Sequence, residues 1–435
     1  MSLRDDAAHT VASIARQFSD VDATTAAWHA TPRGSVARTT GLAGGLPGMA
    51  LLFAELSRHD GAFARTTHRW LTQAARARPA APPAGLYDGT AALCFAAQAA
   101  AGGTGHYADT LARLDLKIAA QVRRRTETES RRLAQGRCVG IASYDVITGL
   151  TGLGALTLSR GAAGPTRSVL DALVALTRPL TALRIAQSGA GGGRSGAGGM
   201  RPVPGWWVAQ STTDYAPAPV HAGHANLGLA HGIAGPLALL SLAWREGVRV
   251  AGQRDAVHAI VRWLREQRLP GTPGWPAMVT EAGPVLGGAR LSWCYGTPGV
   301  ARALYLAGSA FGQPRWRQEA VAALKAVLPT PSGPFLPGDP GLCHGRAGLL
   351  HITARMAADT GDAELRDRLD SIARHLLDLA DGDTDPRFAA VPRPGRPPED
   401  AFGLLSGTAG VALALHAYAT GEPPRSGWDR ALLVA

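Results

Sequence analysis

The feature that most constrains the fold of this chain is a short glycine motif that occurs seven times along its 435 residues. Each copy reads G-x-x-G, or a near relative, and leads into a run rich in alanine and leucine. The copies begin at Gly45, Gly89, Gly149, Gly232, Gly296, Gly345 and Gly407. Self-similarity of this kind predicts a repeat architecture in which every copy contributes one supersecondary unit. The second copy departs from the pattern, with Ala92 in place of the second glycine.

The sequence around each motif predicts a pair of helices. The seven glycine-led runs are apolar on nearly all sides, which is typical of buried helices. Each is preceded by a charged stretch whose apolar residues recur at helical spacing, such as HRWLTQAARAR from His68. We therefore predict an all-α fold, an α/α toroid of seven inner and seven outer helices, in which the glycines allow neighbouring backbones to approach closely. An open solenoid of helix pairs is the alternative architecture.

The longest interval between copies, between the third and the fourth, indicates an insertion. It contains SGAGGGRSGAGGMRP, Ser188 to Pro202, whose composition is that of a flexible loop. The following GWWVAQSTTDYAPAPV has strand-like and turn-like pieces and no helical period. We predict that residues 185–228 form a small β-containing insertion over the toroid, which itself comprises residues 1–184 and 229–435.

Composition and charge exclude several classes of protein. The net charge of +11 would suit a nucleic-acid partner, but the densest basic run, VRRRTETESRR from Val122, lacks interleaved aromatics and lies in no nucleic-acid-binding motif. We interpret that run as a solvated helix end and predict no nucleic-acid binding. A basic surface that meets an acidic peptide is the remaining use of the charge.

The sequence also predicts a cytoplasmic protein that is not integral to the membrane. No apolar run reaches the roughly 18 residues of a membrane span. The N-terminal residues lack the apolar core of a signal peptide. Four scattered cysteines do not resemble a disulfide framework, so we expect free thiols.

If the repeats are equivalent, the residues just before each leading glycine all lie at one mouth of the ring. Immediately before it, chemically capable side chains gather in the third to sixth copies: Thr148, His231, Tyr295 and His344. One residue further back, the fifth and sixth copies carry Cys294 and Cys343. The repeat therefore predicts that residues from distant parts of the sequence meet around one cavity.

Two cysteines and a histidine in these places suggest a zinc site. Cys294, Cys343 and His344 provide three protein ligands, and a catalytic zinc site usually has three, with its fourth position open. A free cysteine has a pKa near ~8.5, whereas a zinc-bound thiol is deprotonated outright, so such a site suits thiol chemistry. The alternative interpretation is two buried cysteines beside a capping histidine, which needs no metal.

Three further residues at the same mouth are candidates for proton transfer and charge stabilisation. His231, in LGLAHGIAGP, belongs to the residue type that most often acts as a general acid or base. Asp145, in SYDVITGLTG, lies four residues before its leading glycine and could orient or charge a neighbour. Arg290 lies four residues before Cys294 and could stabilise a developing oxyanion. Each also has a structural interpretation, as a helix cap for Asp145 and an ion pair for Arg290.

At these residues the sequence resembles the lanthionine synthetase C-like cyclases. The matching motifs are SYDVITGLTG, NLGLAHGIAGPLALL, SWCYGTPG and CHGRAGLL, in that order, and the glycine pattern covers almost the entire chain. The resemblance implies an α/α toroid that binds one zinc ion per chain. By motif, the ligands of that ion are Cys294, Cys343 and His344.

The resemblance also implies an activity, the formation of lanthionine and methyllanthionine thioether rings in lanthipeptide antibiotics. The family adds cysteine thiols to dehydroalanine or dehydrobutyrine of a dehydrated precursor peptide in a Michael-type addition. By motif, His231 resembles the acid/base residue, and Asp145, Arg290 and Tyr295 match further active-site positions. The proton for the α-carbon is expected from His231, and the thiol proton could go to His231 or to Asp145.

The partners implied by the resemblance are the precursor peptide with its leader and a dehydratase and exporter complex, through which the protein would associate with the membrane. Two other functions remain open. One is zinc-dependent addition of a small thiol such as glutathione to dehydroamino acids in damaged proteins. The other is a non-catalytic peptide-binding toroid, which a fourth protein ligand to a structural zinc would favour. A glycosidase needs paired carboxylates at the mouth, where only Asp88 and Asp145 are placed, and is disfavoured.

Overall fold

The computed structural model describes residues 2–30, 39–77, 85–180, 203–209, 223–285, 291–329, 338–380 and 402–435. Within these ranges it contains sixteen α-helices and one three-stranded sheet. The seven inner helices are α3 (Leu46–His59), α5 (Gly89–Ala101), α8 (Leu150–Ser159), α10 (Ala234–Arg245), α12 (Thr297–Ala310), α14 (Arg346–Thr360) and α16 (Thr408–Thr420). The seven outer helices are α1 (Leu3–Gln17), α4 (Ala64–Arg76), α6 (Ala108–Ala134), α9 (Ala163–Leu176), α11 (Gln253–Glu266), α13 (Pro314–Val327) and α15 (Ala363–Leu377). The two others are α2 (Val21–Ala30) and α7 (Ile141–Tyr144).

The inner helices close on themselves. Each packs against the next along the chain, from α3 through α5, α8, α10, α12 and α14 to α16, and α16 packs back against α3. Their burial matches their composition, since Thr408 to Leu415 of α16 are all buried. The predicted α/α toroid is therefore confirmed, and the open solenoid is excluded. Within the described residues, no helix combines the length and the apolar character that crossing a bilayer requires.

The outer helices pair with the inner ones in a circular order. Among the inner helices, each outer helix packs chiefly against the one that precedes it in sequence, except α1, which packs against α16. Helix α1 begins with a capping box, in which Ser2 and Asp5 each accept a hydrogen bond from the other's backbone N–H. It buries Ala7, Val11 and Ile14. The first helix of the chain thus completes the last repeat.

A closed ring of backbone hydrogen bonds joins the seven loops that precede the inner helices. In every copy, the residue two positions before the leading glycine accepts a hydrogen bond through its carbonyl oxygen. The donor is a backbone N–H in the loop of a neighbouring copy. The bonds run from N–H to O in the pairs Leu42–Tyr87, Tyr87–Ile147, Val146–Ala230, Ala230–Cys294, Cys294–Cys343, Cys343–Leu405 and Leu405–Ala43, with N to O distances of 2.9 to 3.3 Å. This ring fixes the repeats in the equivalent register that the sequence predicts.

The second glycine of the motif lies so close to a carbonyl oxygen of its own loop that a side chain would not fit there. A Cβ at Gly348 would lie 2.0 Å from the carbonyl oxygen of Leu342, and one at Gly48 would lie 2.5 Å from that of Leu42. The second copy, which carries Ala92 here, has a different backbone path. Its leading Gly89 has a φ of 52°, whereas the other leading glycines that begin inner helices are extended, as Gly345 is at −115°.

The small sheet has the strand order β1–β2–β3 and is antiparallel throughout. Strand β1 (Ala225–Asn226) lies within the predicted insertion, whereas β2 (Met278–Thr280) and β3 (Gly283–Val285) lie between α11 and α12 and were not predicted. Leu180 and Val203 also form an isolated bridge. Most of residues 185–228, including the glycine-rich run, lie outside the described residues, so the limits of the insertion stay a prediction.

The C-terminal residues fill the centre of the ring from the side opposite the loops. Trp428, Leu432 and Val434 are buried. Side chains from separate repeats hold this segment by its carbonyl oxygens. The hydroxyl of Tyr87 donates to Ala431, the indole N–H of Trp293 to Leu432, and the guanidinium of Arg302 to Val434, each at 2.9 Å. The segment therefore forms a floor beneath the loops that carry the predicted site.

Candidate metal centre and acid/base pair

The three predicted metal ligands lie together. The donor atoms of Cys294, Cys343 and His344 are all within 4.8 Å of one another. Cys294 is buried, and the other two are partly exposed at the mouth. The backbone hydrogen bond between Cys294 and Cys343 sets neighbouring loops at this spacing. Two thiols and an imidazole form a donor set that fits zinc.

The surroundings of the Cys294 thiol favour its thiolate form. The hydrogen bond between the Cys343 and Cys294 side chains lowers the pKa of the Cys294 thiol well below its usual range, against the effect of burial. His344 and Ser292 act in the same direction. Thiolates are the form in which cysteine binds a metal, so this pair is prepared for one.

An aspartate that the sequence analysis missed orients the histidine. Asp339 Oδ2 lies 3.0 Å from His344 Nε2, and Asp339 Oδ1 accepts a hydrogen bond of 2.8 Å from the backbone N–H of Gly341. Metal-binding histidines usually pair their second ring nitrogen with a carboxylate in this way. With Nε2 engaged by Asp339, Nδ1 is the ring nitrogen suited to a metal. The only sequence signal is an acidic residue shortly before the Cys-His pair.

Asp145 and His231 form a hydrogen-bonded pair beside the candidate metal centre. The distance from Asp145 Oδ2 to His231 Nδ1 is 2.6 Å. Asp145 is buried, and its Oδ1 accepts hydrogen bonds from the backbone N–H and the hydroxyl of Thr148 at 2.8 and 3.1 Å. The His231 side chain is 33% exposed. A fixed carboxylate on Nδ1 sets the orientation and tautomer of the imidazole and leaves Nε2 as the nitrogen for proton transfer.

Tyr295 lies between the candidate metal centre and the pair formed by Asp145 and His231. It follows Cys294 in the sequence, and its ring stacks on that of His231 with 5.7 Å between centroids and 27° between planes. Burial raises the pKa of the Tyr295 hydroxyl, so it remains a neutral phenol. The structure thus brings together six of the seven predicted site residues. The seventh, Arg290, lies outside the described residues.

Arg125 lies at the edge of the same site, inside the basic run that the sequence predicts to be a solvated helix end. Its guanidinium donates to the carbonyl oxygens of Thr148 and Ala142, and it lies close enough to Asp145 to interact with its charge. Six of its eleven residues are exposed, but Arg125 is partly buried and Arg132 is buried, so the prediction of a solvated helix end holds only in part. Helical spacing alone does not reveal which arginine of a long outer helix reaches over the mouth.

Comparison with protein families identifies the chain. The sequence profile of the family described as lanthionine synthetase C-like protein matches residues 37–433. The chain belongs to this family. No curated protein sequence matches this lanthionine synthetase C-like protein.

A solved structure shares the fold of this lanthionine synthetase C-like protein. The structure of nisin cyclase superposes with a TM-score of 0.72 at 19% sequence identity, covering 97% of this chain and 98% of that one. At this identity the likeness shows the toroid fold. An unsaturated glucuronyl hydrolase from Bacillus sp. GL1 is 12% identical over 86% of this chain and 94% of that one, with a TM-score of 0.41, too low for any conclusion.

Proposed function

We propose that this protein is a zinc-dependent lanthionine synthetase, a peptide cyclase that forms carbon–sulfur bonds. Its reaction is the addition of cysteine thiols to dehydroalanine or dehydrobutyrine in a dehydrated precursor peptide. The observation that carries the proposal is the position of Tyr295, next to Cys294 in sequence and stacked on His231. A thiol-activating centre and a proton-transfer pair therefore lie side by side, as the addition of S–H across a carbon–carbon double bond requires.

Cys294, Cys343 and His344 are the residues that would hold the zinc ion. When bound, a zinc ion with two thiolate ligands deprotonates an incoming substrate thiol while leaving its sulfur nucleophilic. In the described part of the chain, the cluster offers three donor atoms. Catalytic zinc sites have three protein ligands and structural sites have four, so the donor count supports the catalytic alternative.

His231 moves the proton that completes the addition. The new bond joins the sulfur to the β-carbon of the dehydro residue, the double bond opens, and the α-carbon takes up one proton. Because Asp145 holds His231 Nδ1, Nε2 is the nitrogen suited to deliver that proton. The hydrogen-bonded pair of Asp145 and His231 accepts the proton that the thiol loses. Arg290 stays a candidate for stabilising the enolate that develops on the carbonyl oxygen.

The peptide itself is proposed to bind over the mouth, with residues 185–228 as an insertion that helps to hold it. The three-stranded sheet supports this because it lies next to the site: Ala277 and Met278 pack against Tyr295. The backbone of Gly228 is also in close contact with Cys294 and Tyr295, where a Cβ would lie 2.2 Å from the Cys294 carbonyl oxygen. We also propose that the protein binds the leader of the precursor peptide and a dehydratase and exporter complex. Its proposed location is cytoplasmic, or at the membrane through that complex.

The test uses zinc-loaded protein and a synthetic peptide that carries one dehydroalanine and one cysteine a few residues apart. Ring formation leaves the mass of the peptide unchanged but removes its free thiol, so the product no longer reacts with N-ethylmaleimide. We expect the wild type to accelerate the loss of the free thiol, whereas Cys343→Ala should leave it at the uncatalysed rate. His9→Ala, whose side chain is exposed on α1, should retain the wild-type rate.

The same mixture distinguishes the alternatives when glutathione is added. A peptide whose mass rises by one glutathione, with its own thiol intact, would identify the small-thiol enzyme instead. Unreacted peptide that nevertheless binds the zinc-loaded wild type would identify a non-catalytic scaffold. Either outcome would overturn the cyclase proposal.

A further inference from the structure

A second group of metal-binding side chains lies at the opposite end of the ring. Glu55 and His59 lie one turn apart near the end of α3, and His416 lies in the second half of α16. These are the inner helices of the first and the last repeats, so the group spans the seam at which the toroid closes. The candidate cyclase site lies at the other ends of the inner helices. The two groups therefore share no residue.

The geometry of this group suits one small cation. The donor atoms of Glu55, His59 and His416 all lie within 4.8 Å of one another. His59 Nε2 lies 3.4 Å from Glu55 Oε1, and the rings of His59 and His416 are 4.5 Å apart at an angle of 83°. Ligands that each lie about 2.0–2.1 Å from a tetrahedral zinc ion are separated from one another by about 3.4 Å. The distance between His59 Nε2 and Glu55 Oε1 already has this value.

One donor atom of the group lacks a partner. Among the described residues, His416 Nε2 is buried and makes no hydrogen bond. Buried polar atoms are almost always satisfied, and an exception calls for an explanation such as an ion. A cation held between the three side chains would satisfy this nitrogen.

The charges around the group are compatible with a cation. Glu55 is buried and held rigidly, since its two carboxylate oxygens accept backbone hydrogen bonds from Arg425 and Ser426 at 2.9 and 2.8 Å. Arg425 directs its guanidinium to Glu422, and Arg58 donates to the carbonyl oxygens at the end of α5. The guanidinium groups of both arginines therefore bind other acceptors.

We propose that Glu55, His59 and His416 form a second metal site that takes zinc through two imidazoles and one carboxylate. Two histidines and a glutamate are an established protein ligand set for zinc. Because the ligands come from α3 and α16, the ion fastens the first repeat to the last and holds the segment around Arg425 through Glu55. This site contains no thiolate, which makes it chemically distinguishable from Cys294, Cys343 and His344.

The experiment measures bound metal in full-length protein that has been stripped with a chelator, reloaded with zinc and freed of excess ion. We expect two zinc ions per wild-type chain, one in Cys343→Ala, one in His416→Ala and none in the double variant. His9→Ala is the matched control and keeps two. In the Cys343→Ala background, zinc should raise the melting temperature, and His416→Ala should abolish that rise.

Cobalt(II) separates the two sites by their ligands. Cobalt bound to Cys343→Ala should show no thiolate-to-metal charge-transfer absorption, whereas cobalt bound to His416→Ala should show it strongly. One zinc ion in the wild type that disappears in Cys343→Ala would overturn the second site while leaving the cyclase site intact. Retention of one ion by the double variant would also overturn it, because the ion would then bind elsewhere.

Discussion

The backbone N–H of Cys294 donates a hydrogen bond to the carbonyl oxygen of Cys343, with 3.1 Å between nitrogen and oxygen. This bond is one member of the ring that joins all seven loops. The spacing of the two candidate zinc ligands is therefore set by main-chain atoms, before any metal binds. Substitution of nearby side chains should therefore change the chemistry of the site without moving the backbone of the two cysteines.

Replacement of His231 by asparagine should abolish turnover without removing zinc. Loss of a general acid/base group typically lowers the rate by about 10²–10⁴-fold. The zinc content should stay at the wild-type value because none of the three metal ligands is touched. Thiol loss from the dehydroalanine peptide, measured beside metal content, checks both statements. Full activity of His231→Asn would show that the proton comes from another group.

Asp339→Ala should weaken zinc binding at the cysteine site by about 10–100-fold, because a carboxylate paired with a metal-binding histidine orients the ring and raises its basicity. Competition with a chromophoric chelator gives the affinity. Asp88→Ala is the control, since Asp88 also precedes an inner helix but pairs with Thr40. Equal zinc affinity in wild type and Asp339→Ala would mean that the interaction with His344 does not support the metal.

Alkylation should separate the cysteines of metal-free protein by their thiolate content. The pKa of Cys294 is lowered by its hydrogen bond with Cys343, so this pair should hold a thiolate and react with iodoacetamide near neutral pH. Burial raises the pKa of Cys94 to about 12, so Cys94 should stay protonated and unlabelled until the protein unfolds. Peptide mapping reads out each site, and zinc should protect the reactive pair. Earlier labelling of Cys94 would contradict the prediction.

Gly348→Ala should destabilise the fold, whereas Gly164→Ala should not. The new methyl group at position 348 would meet the carbonyl oxygen of Leu342 at 2.0 Å, and overpacking of this kind typically costs about 1–3 kcal/mol. Gly164 lies in α9 with open space around it, where alanine is favoured by roughly 0.5–1 kcal/mol. Urea unfolding of both variants measures the difference. Equal stability would show that the loop can move aside.

The sequence predicts that the residues of the candidate metal centre meet, because the repeat converts sequence position into spatial position. Cys294 and Cys343 each lie two residues before a leading glycine, and the hydrogen-bonded ring joins that position in every copy. The same reasoning predicts that Asp145 lies at the same mouth. The sequence offers Asp145 and His231 as alternative acceptors of the thiol proton, whereas the structure has the two hydrogen-bonded to each other.

Features that depend on side-chain reach or on ring closure were not predictable in this way. Asp339 contacts His344 across a loop turn, and Arg125 reaches the mouth from the middle of a long outer helix. The sequence offers no partner for His416, because its meeting with Glu55 depends on contact between the first and last repeats. Strands β2 and β3 are too short to produce an alternating apolar pattern.

The packing of α1 against α16 affects how the chain must fold during synthesis. The apolar face formed by Ala7, Val11 and Ile14 emerges from the ribosome long before its partner, α16, which begins at Thr408. At about 5–20 residues per second, translation of the intervening chain takes roughly 20–80 s. During that time the nascent protein carries an exposed apolar helix, which folding catalysts and chaperones must tolerate or shield until the last repeat arrives.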